Sequence, residues 1–150
     1  MLRLSKKVEY ALIALMDLAN NSETDPVTTK ALASSYQIPQ ELLGKVMQNL
    51  TKNGILNSVQ GVKGGYILGQ DPENIKLMQI IEILEGPISI TSCGHLDEIE
   101  DCGCDLLSTC TIKSPMEIIQ AELEKYFTGI SLKDLNKMYN NNQTAPIQLV

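Results

Sequence analysis

All four cysteines, Cys93, Cys102, Cys104 and Cys110, and the only histidine, His95, fall within residues 93–110 of this 150-residue chain. Thiolates are soft donors suited to iron–sulfur clusters and to Zn(II). Structural zinc is commonly held by two cysteine pairs, each about two to four residues apart. Here eight residues separate Cys93 from Cys102, one separates Cys102 from Cys104 and five separate Cys104 from Cys110, so no such pairs exist. An iron–sulfur cluster is a larger object around which a loop can wrap with irregular spacing. Three thiolates and a weaker oxygen or nitrogen donor would leave one iron labile, which suits sensing; four thiolates, using Cys102, would grip more firmly. A thiol–disulfide switch without metal stays open as the alternative. Asp97, Glu98, Glu100, Asp101 and Asp105 read as a solvated surface, and beside a cluster they would disfavour added negative charge on reduction. The chain has no Cys-x-x-Cys pair and no Ser/His/Asp set, so an enzyme, including a thiol oxidoreductase, is not expected.

The rest of the chain must position this loop. Its length suits one compact domain, or a small domain with a helical appendage. A hydrophobic content of 43% supports a real core, which must be aliphatic because there is no Trp and a single Phe. No apolar run approaches a membrane span, and Glu9 and Asp17 interrupt any signal-peptide core. A cytoplasmic protein with reduced thiols is therefore expected, which favours metal or redox chemistry over structural disulfides. The net charge is −6, yet residues 1–70 carry seven Lys/Arg against five Asp/Glu, whereas residues 71–150 carry five against thirteen. Phosphate binding depends on a local basic face, so the first half remains open to nucleic acid.

Val8, Leu12, Leu15 and Ala19 repeat at helical spacing after a potential Ser5 cap, predicting a helix over 5–20. Thr28 or Thr29 can cap a short helix over 30–36 that buries Ala31, Leu32 and Ser35 or Tyr36. Pro39 suits the first position of a third helix ending before Gly54. That helix places Leu42, Leu43, Val46, Met47 and Leu50 on one face and polar residues on the other. Two short helices and a tight turn allow a helix-turn-helix. The following strand (55–60), Gly-rich turn and return strand (66–68) add the hairpin of a winged helix. A fourth helix is predicted over 75–85. After the cysteines, Ser114 as cap and Pro115 as first helical residue start a helix to about 127, with Met116, Ile119, Leu123 and Tyr126 as a narrow apolar seam. Ser131 caps a last short helix over 132–138.

Several stretches together resemble the IscR/NsrR family of bacterial winged-helix transcription regulators. They are Leu-Ser-Lys-Lys-Val-Glu-Tyr-Ala-Leu at 4–12, Leu-Thr-Lys-Asn-Gly-Ile-Leu at 50–56, Ser-Val-Gln-Gly-Val-Lys-Gly-Gly-Tyr-Ile-Leu at 58–68, the cysteine loop, and Ile-Ser-Leu-Lys-Asp-Leu at 130–135. The resemblance implies a mainly α fold with a small β-wing and a long dimerisation helix. It also implies a homodimer that binds double-stranded DNA operators, with no membrane partner, and an iron–sulfur cluster (2Fe–2S or 4Fe–4S) held by Cys93, Cys104 and Cys110. The gap before Cys104 is longer than is usual in the family and contains Cys102, an alternative ligand. Some members place a histidine ligand where this chain has Lys113; others use an acidic residue of the partner subunit at the position of Glu9. The wing arginine common in the family is replaced by Gln60.

The organisation expected is a winged helix-turn-helix DNA-binding domain over 1–86, a cysteine-rich cluster-binding loop over 87–113, a dimerisation helix and short C-terminal helix over 114–139, and a disordered tail over 140–150. Gln40, Glu41, Lys45 and Gln48 are placed to meet bases or backbone, Gln60, Lys63 and Gly64 to serve the wing, and Arg3, Lys6 and Lys7 to contact phosphates. The function expected is a regulator whose operator affinity is switched by the cluster, in response to redox state, nitric oxide or cluster status. A cluster-free regulator using a thiol–disulfide switch or a partner protein is the alternative.

Overall fold

A computed structural model describes residues 3–21, 25–91 and 109–144. Helices α1 (Lys6–Asn20), α2 (Thr29–Tyr36) and α3 (Gln40–Lys52) are followed by strands β1 (Leu56–Val59) and β2 (Gly65–Leu68), then α4 (Leu77–Glu85), α5 (Lys113–Gly129) and α6 (Leu132–Thr144). The described residues form a mainly α fold with one two-stranded antiparallel sheet, as the sequence predicts.

Each short helix has a local reason to begin and end. Thr28 Oγ1 accepts from Ala31 N at 3.1 Å and caps α2. The chain leaves α2 through Gln37 in the left-handed region (φ 54°), with Ile38 N–H closing on the Ala33 carbonyl at 3.0 Å. Ile38 is thereby folded into the core and sets the tight turn between α2 and α3. Pro39 is the cap of α3, one residue earlier than the first-turn place predicted for it. The buried face of α2 is Leu32 and Ala33; Ala31, Ser35 and Tyr36, expected inside, are exposed. The eight-residue α2 touches the core along so narrow a strip that sequence spacing alone cannot phase it.

Leu15 of α1, Leu32, Leu43, Met47 and Leu50 of α2 and α3, Leu56 of β1 and Ile80 of α4 are all at most 1% exposed and form the main core. β1 and β2 pair with Leu56 opposite Leu68 and Val59 opposite Gly65. A third short segment joins them: Val27 and Tyr66 exchange both backbone hydrogen bonds, at 3.0 and 2.9 Å. This rung ties the wing to the entry of α2, and so fixes the hairpin relative to the helix pair.

The C-terminal part folds back onto this body. Leu77 N donates to Ile130 O and Leu132 N to Ile75 O, both at 2.9 Å, and Leu132 is completely buried in the main core. Ile75 and Lys76 therefore lie in a bridge, and α4 begins two residues later than predicted. α5 starts at Lys113, with Ile112 as cap; Ser114, expected to cap it, sits inside the first turn beside Pro115, where a missing N–H is tolerated. α6 runs on to Thr144, so 140–144, expected as disordered, are helical; residues 145–150 lie outside the described residues. Neither Gly nor Pro occurs between Leu132 and Pro146, and nothing in that stretch breaks a helix already anchored at Leu132.

Candidate nucleic-acid interface and cysteine loop

α3 is seated by Leu43, Val46, Met47 and Leu50, which leaves Gln40, Glu41, Lys45 and Gln48 exposed on its outer side. Its C-terminal end is fixed from α4, because Asn49 Nδ2 donates to Ile83 O at 3.2 Å. The polar face is thus presented by a helix held at both its inner face and its end. In the wing, Gly64 N donates to Gly61 O at 3.0 Å, and Gln60 and Lys63 are exposed. A side chain at position 64 would meet Val59 O at 2.5 Å, and one at position 65 would meet the Val27 backbone at 2.7 Å. Both glycines are therefore required by the turn and by its seat on Val27. Val62, which sequence reasoning passed over, is fully exposed at the tip.

The N-terminal positions are placed differently. Arg3 lines a cavity of ≈ 400 Å³ with Leu4, Glu85, Ile88, Leu123 and Phe127, on the α4–α5 side of the molecule. Lys6 pairs with Glu9, and this partner holds the Lys6 ammonium above its ordinary pKa. Glu9, expected as a ligand from the partner subunit, is thus engaged with Lys6, itself expected at phosphate; each role requires that pair to open. Lys7 is exposed. Ser5 has the extended backbone of a cap, but its Oγ makes no cap bond and is buried without a partner. Instead Glu85 accepts from Ser5 N at 3.0 Å, placing a carboxylate at the positive end of α1.

Of the four cysteines, Cys110 lies within the described residues. Cys93, Cys102, Cys104 and His95 lie outside them. Cys110 is a free, half-buried thiol three residues before α5 begins. The end of the loop is thus carried directly on α5. A set of soft thiolate donors suits an iron–sulfur cluster. Lys113, in the place of the histidine ligand of some IscR/NsrR members, pairs with Glu117 at 4.0 Å.

On α5 the buried residue is not apolar but Gln120, 6% exposed. Met116 and Leu123 of the predicted seam are half-buried, while Ile119 and Tyr126 are 51% and 63% exposed. Ile112, 59% exposed, extends that open edge, giving an apolar residue every seventh position at 112, 119 and 126. Such a repeat is the pattern of a helix that packs along another helix.

Two further polar contacts shape the body. Tyr36 Oη donates to Asp17 Oδ1 at 2.5 Å, and this bond, with partial burial, pushes the phenol up to about 12. Ser131 and Asp134 bond reciprocally, Ser131 N to Asp134 Oδ2 at 3.0 Å and Asp134 N to Ser131 Oγ at 3.1 Å. This is the capping box at the start of α6; Ser131 Oγ also donates to Asp134 Oδ2 at 2.6 Å, and that bond, with the one from Ser131 N, holds the Asp134 carboxyl below its ordinary value. Among the described residues no helix is long and apolar enough to cross a membrane.

The chain matches the model of a family described as Rrf2, iron-dependent transcriptional regulator, over residues 4–138. It is 36% identical over 146 residues to the HTH-type transcriptional regulator IscR of Enterobacter sp. (strain 638), covering 97% of this chain and 85% of that one. It is 35% identical over 146 residues to IscR of Escherichia coli O1:K1 / APEC, with the same coverage. Among solved structures it is similar to T. potens IscR, with a TM-score of 0.73, 29% identity and coverage of 97% and 94%. It is likewise similar to CymR, the global cysteine regulator of B. subtilis, with a TM-score of 0.72, 26% identity and coverage of 92% and 98%. A winged helix-turn-helix with this wing, and a family match that runs from the start of α1 into α6, place the chain in the Rrf2 family of transcriptional regulators.

Proposed function

We propose that this protein is a cytoplasmic, homodimeric DNA-binding regulator whose operator affinity is set by an iron–sulfur cluster. Cys93, Cys104 and Cys110 would hold the cluster, with Glu9 of the partner subunit completing the set and Cys102 as the alternative. The cluster would supply a redox-active and chemically labile iron centre, sensitive to oxidants or nitric oxide. The observation that carries this reading is the position of Cys110, a free thiol joined to α5, whose apolar edge at 112, 119 and 126 is open. A second copy of α5 on that edge would make the dimer, and the thiol would then lie beside its interface.

The chain's own residues would do the rest. Gln40, Glu41, Lys45 and Gln48 would enter the major groove on α3, and Gln60, Lys63 and the Gly64 turn would reach the neighbouring backbone. A change in the cysteine loop would be transmitted to α5 and alter the separation of the two α3 helices, which must match half-sites one helical turn apart. The test is anaerobic purification with iron and sulfide counts, then footprinting of the loaded protein, the stripped protein and Cys104→Ala.

Similarity to the cysteine regulator CymR favours one other reading, a cluster-free regulator controlled through its thiols or by a partner protein. That reading predicts colourless protein that is fully DNA-competent, and oxidant-dependent binding if the thiols themselves are the switch.

A further inference from the structure

Gln120 is a polar side chain on a mostly exposed helix, yet it is the buried residue of α5. Its carboxamide is fully used. Ile90 N donates to Gln120 Oε1 at 2.9 Å, while Nε2 donates to Ile88 O at 2.5 Å and to Glu124 Oε1 at 2.6 Å. A backbone carbonyl and a backbone N–H two residues apart are what one residue of a neighbouring parallel strand would engage. The side chain of Gln120 therefore stands in for a strand, pinning the segment that leaves α4. The amide orientation is dictated by its partners, since the flipped group would set donor against donor and acceptor against acceptor.

The pinned segment matters because of where it leads. Residues 88–90 follow α4 and precede Cys93 in the chain, and Ile88 also packs with Val8, Leu77 and Ile81 of the DNA-binding body. At the other end of the loop, Cys110 lies three residues before α5 begins. Gln120 lies seven residues into α5 from Lys113, about 10 Å along the axis at ~1.5 Å per residue. Cys110 is thus joined to α5 by chain continuity, and the Ile88–Ile90 arm is tied to the same helix by the Gln120 side chain.

We propose that Gln120 is the positioning residue that couples the cysteine loop to the dimer-side helix, by latching the Ile88–Ile90 arm onto α5. The inference rests on the reading of 93–110 as a sensor loop. With the latch in place, a change in the span between Cys93 and Cys110 acts on α5; without it, the first arm yields and the change is absorbed locally.

The experiment uses full-length protein as wild type, as Gln120→Leu, and as the exchange variant Gln120→Glu with Glu124→Gln. In the exchange variant the residue at 120 still accepts from Ile90 N and is still bonded to 124, but no longer donates to Ile88 O. Hydrogen exchange of the stripped protein reads the latch without any cluster. The Ile90 amide should exchange about tenfold faster in Gln120→Leu and by a smaller factor in the exchange variant, with α3 amides unchanged. Operator affinity is then measured for loaded and stripped forms. Stripped Gln120→Leu should bind as stripped wild type does, while the loaded-to-stripped ratio falls toward one. Unchanged Ile90 exchange in both variants, or a full wild-type ratio in Gln120→Leu, overturns the proposal. If wild type binds operator equally in both forms, the cluster-switch reading fails and the coupling fails with it. Exchange at Ile90 still tests the latch itself, because it is read in protein without a cluster.

Discussion

Leu132 is the fully buried apolar side chain that the C-terminal helices place in the main core, and truncating it should cost a large part of the fold's stability. Leu132 is completely buried in the main core, while its neighbours on α6, Met138 and Tyr139, are 46% and 53% exposed. Leu132→Ala keeps the backbone bond to Ile75 and the Ser131–Asp134 cap, so the loss is one of packing alone. Removing a fully buried leucine side chain costs roughly 3–5 kcal/mol, part transfer free energy and part residual cavity. A fold of this size has roughly 5–15 kcal/mol in total. With a urea slope of about 2 kcal/mol/M, the midpoint should fall by about 1.5–2.5 M. Met138→Ala, on the exposed side of the same helix, should stay within about 0.5 kcal/mol. The assay is equilibrium urea unfolding followed by far-UV circular dichroism at fixed protein concentration. A Leu132→Ala shift below about 0.5 M, or a shift equal to that of Met138→Ala, would refute the claim that the fold-back is anchored in the core.

Two other outcomes follow from the polar contacts. In a spectrophotometric titration one of the five tyrosines should ionise near pH 12 and return to the ordinary range in Asp17→Asn, because Asp17 accepts the Tyr36 hydroxyl proton; an unchanged curve would exclude that bond. Lys63→Ala should reduce the slope of log affinity against log salt by about 0.9 per wing, about 1.8 for a dimer, with little change in operator preference; no change in slope would remove Lys63 from the phosphate contacts.

Much of this architecture is legible in the sequence because local rules decide it. Thr28, one of two caps the sequence offers, the Gly64 turn of the wing and the Leu43, Val46, Met47, Leu50 stripe are demands the chain makes within a few residues, and they occur as expected. Leu42 of the same stripe, however, is half-buried, and Gly65 already opens β2. What escapes is non-local. Helical spacing phases Ala31 and Tyr36 to the wrong side of α2, because eight residues give the periodicity too few repeats. Ser114 reads as a cap, but α5 begins one residue before it, at Lys113. The Val27–Tyr66 rung, Glu85 at the start of α1 and Leu132 in the core join residues 39, 80 and tens of positions apart, and nothing in their neighbourhoods advertises the pairing. Gln120 is invisible for a related reason: a glutamine between two isoleucines and an alanine reads as the solvent side of a helix until a second segment is laid against it. In the candidate site the donor types are plain from composition, whereas the engagement of Glu9 with Lys6 needs coordinates.

Whether the cysteine loop governs DNA binding through a cluster is decided by the operator affinity of anaerobically purified protein, measured loaded, after chelation of its iron, and as Cys104→Ala. The expected result is a coloured protein with stoichiometric iron and sulfide, and an affinity that changes on stripping and is matched by Cys104→Ala. Identical affinity in all three forms would contradict it.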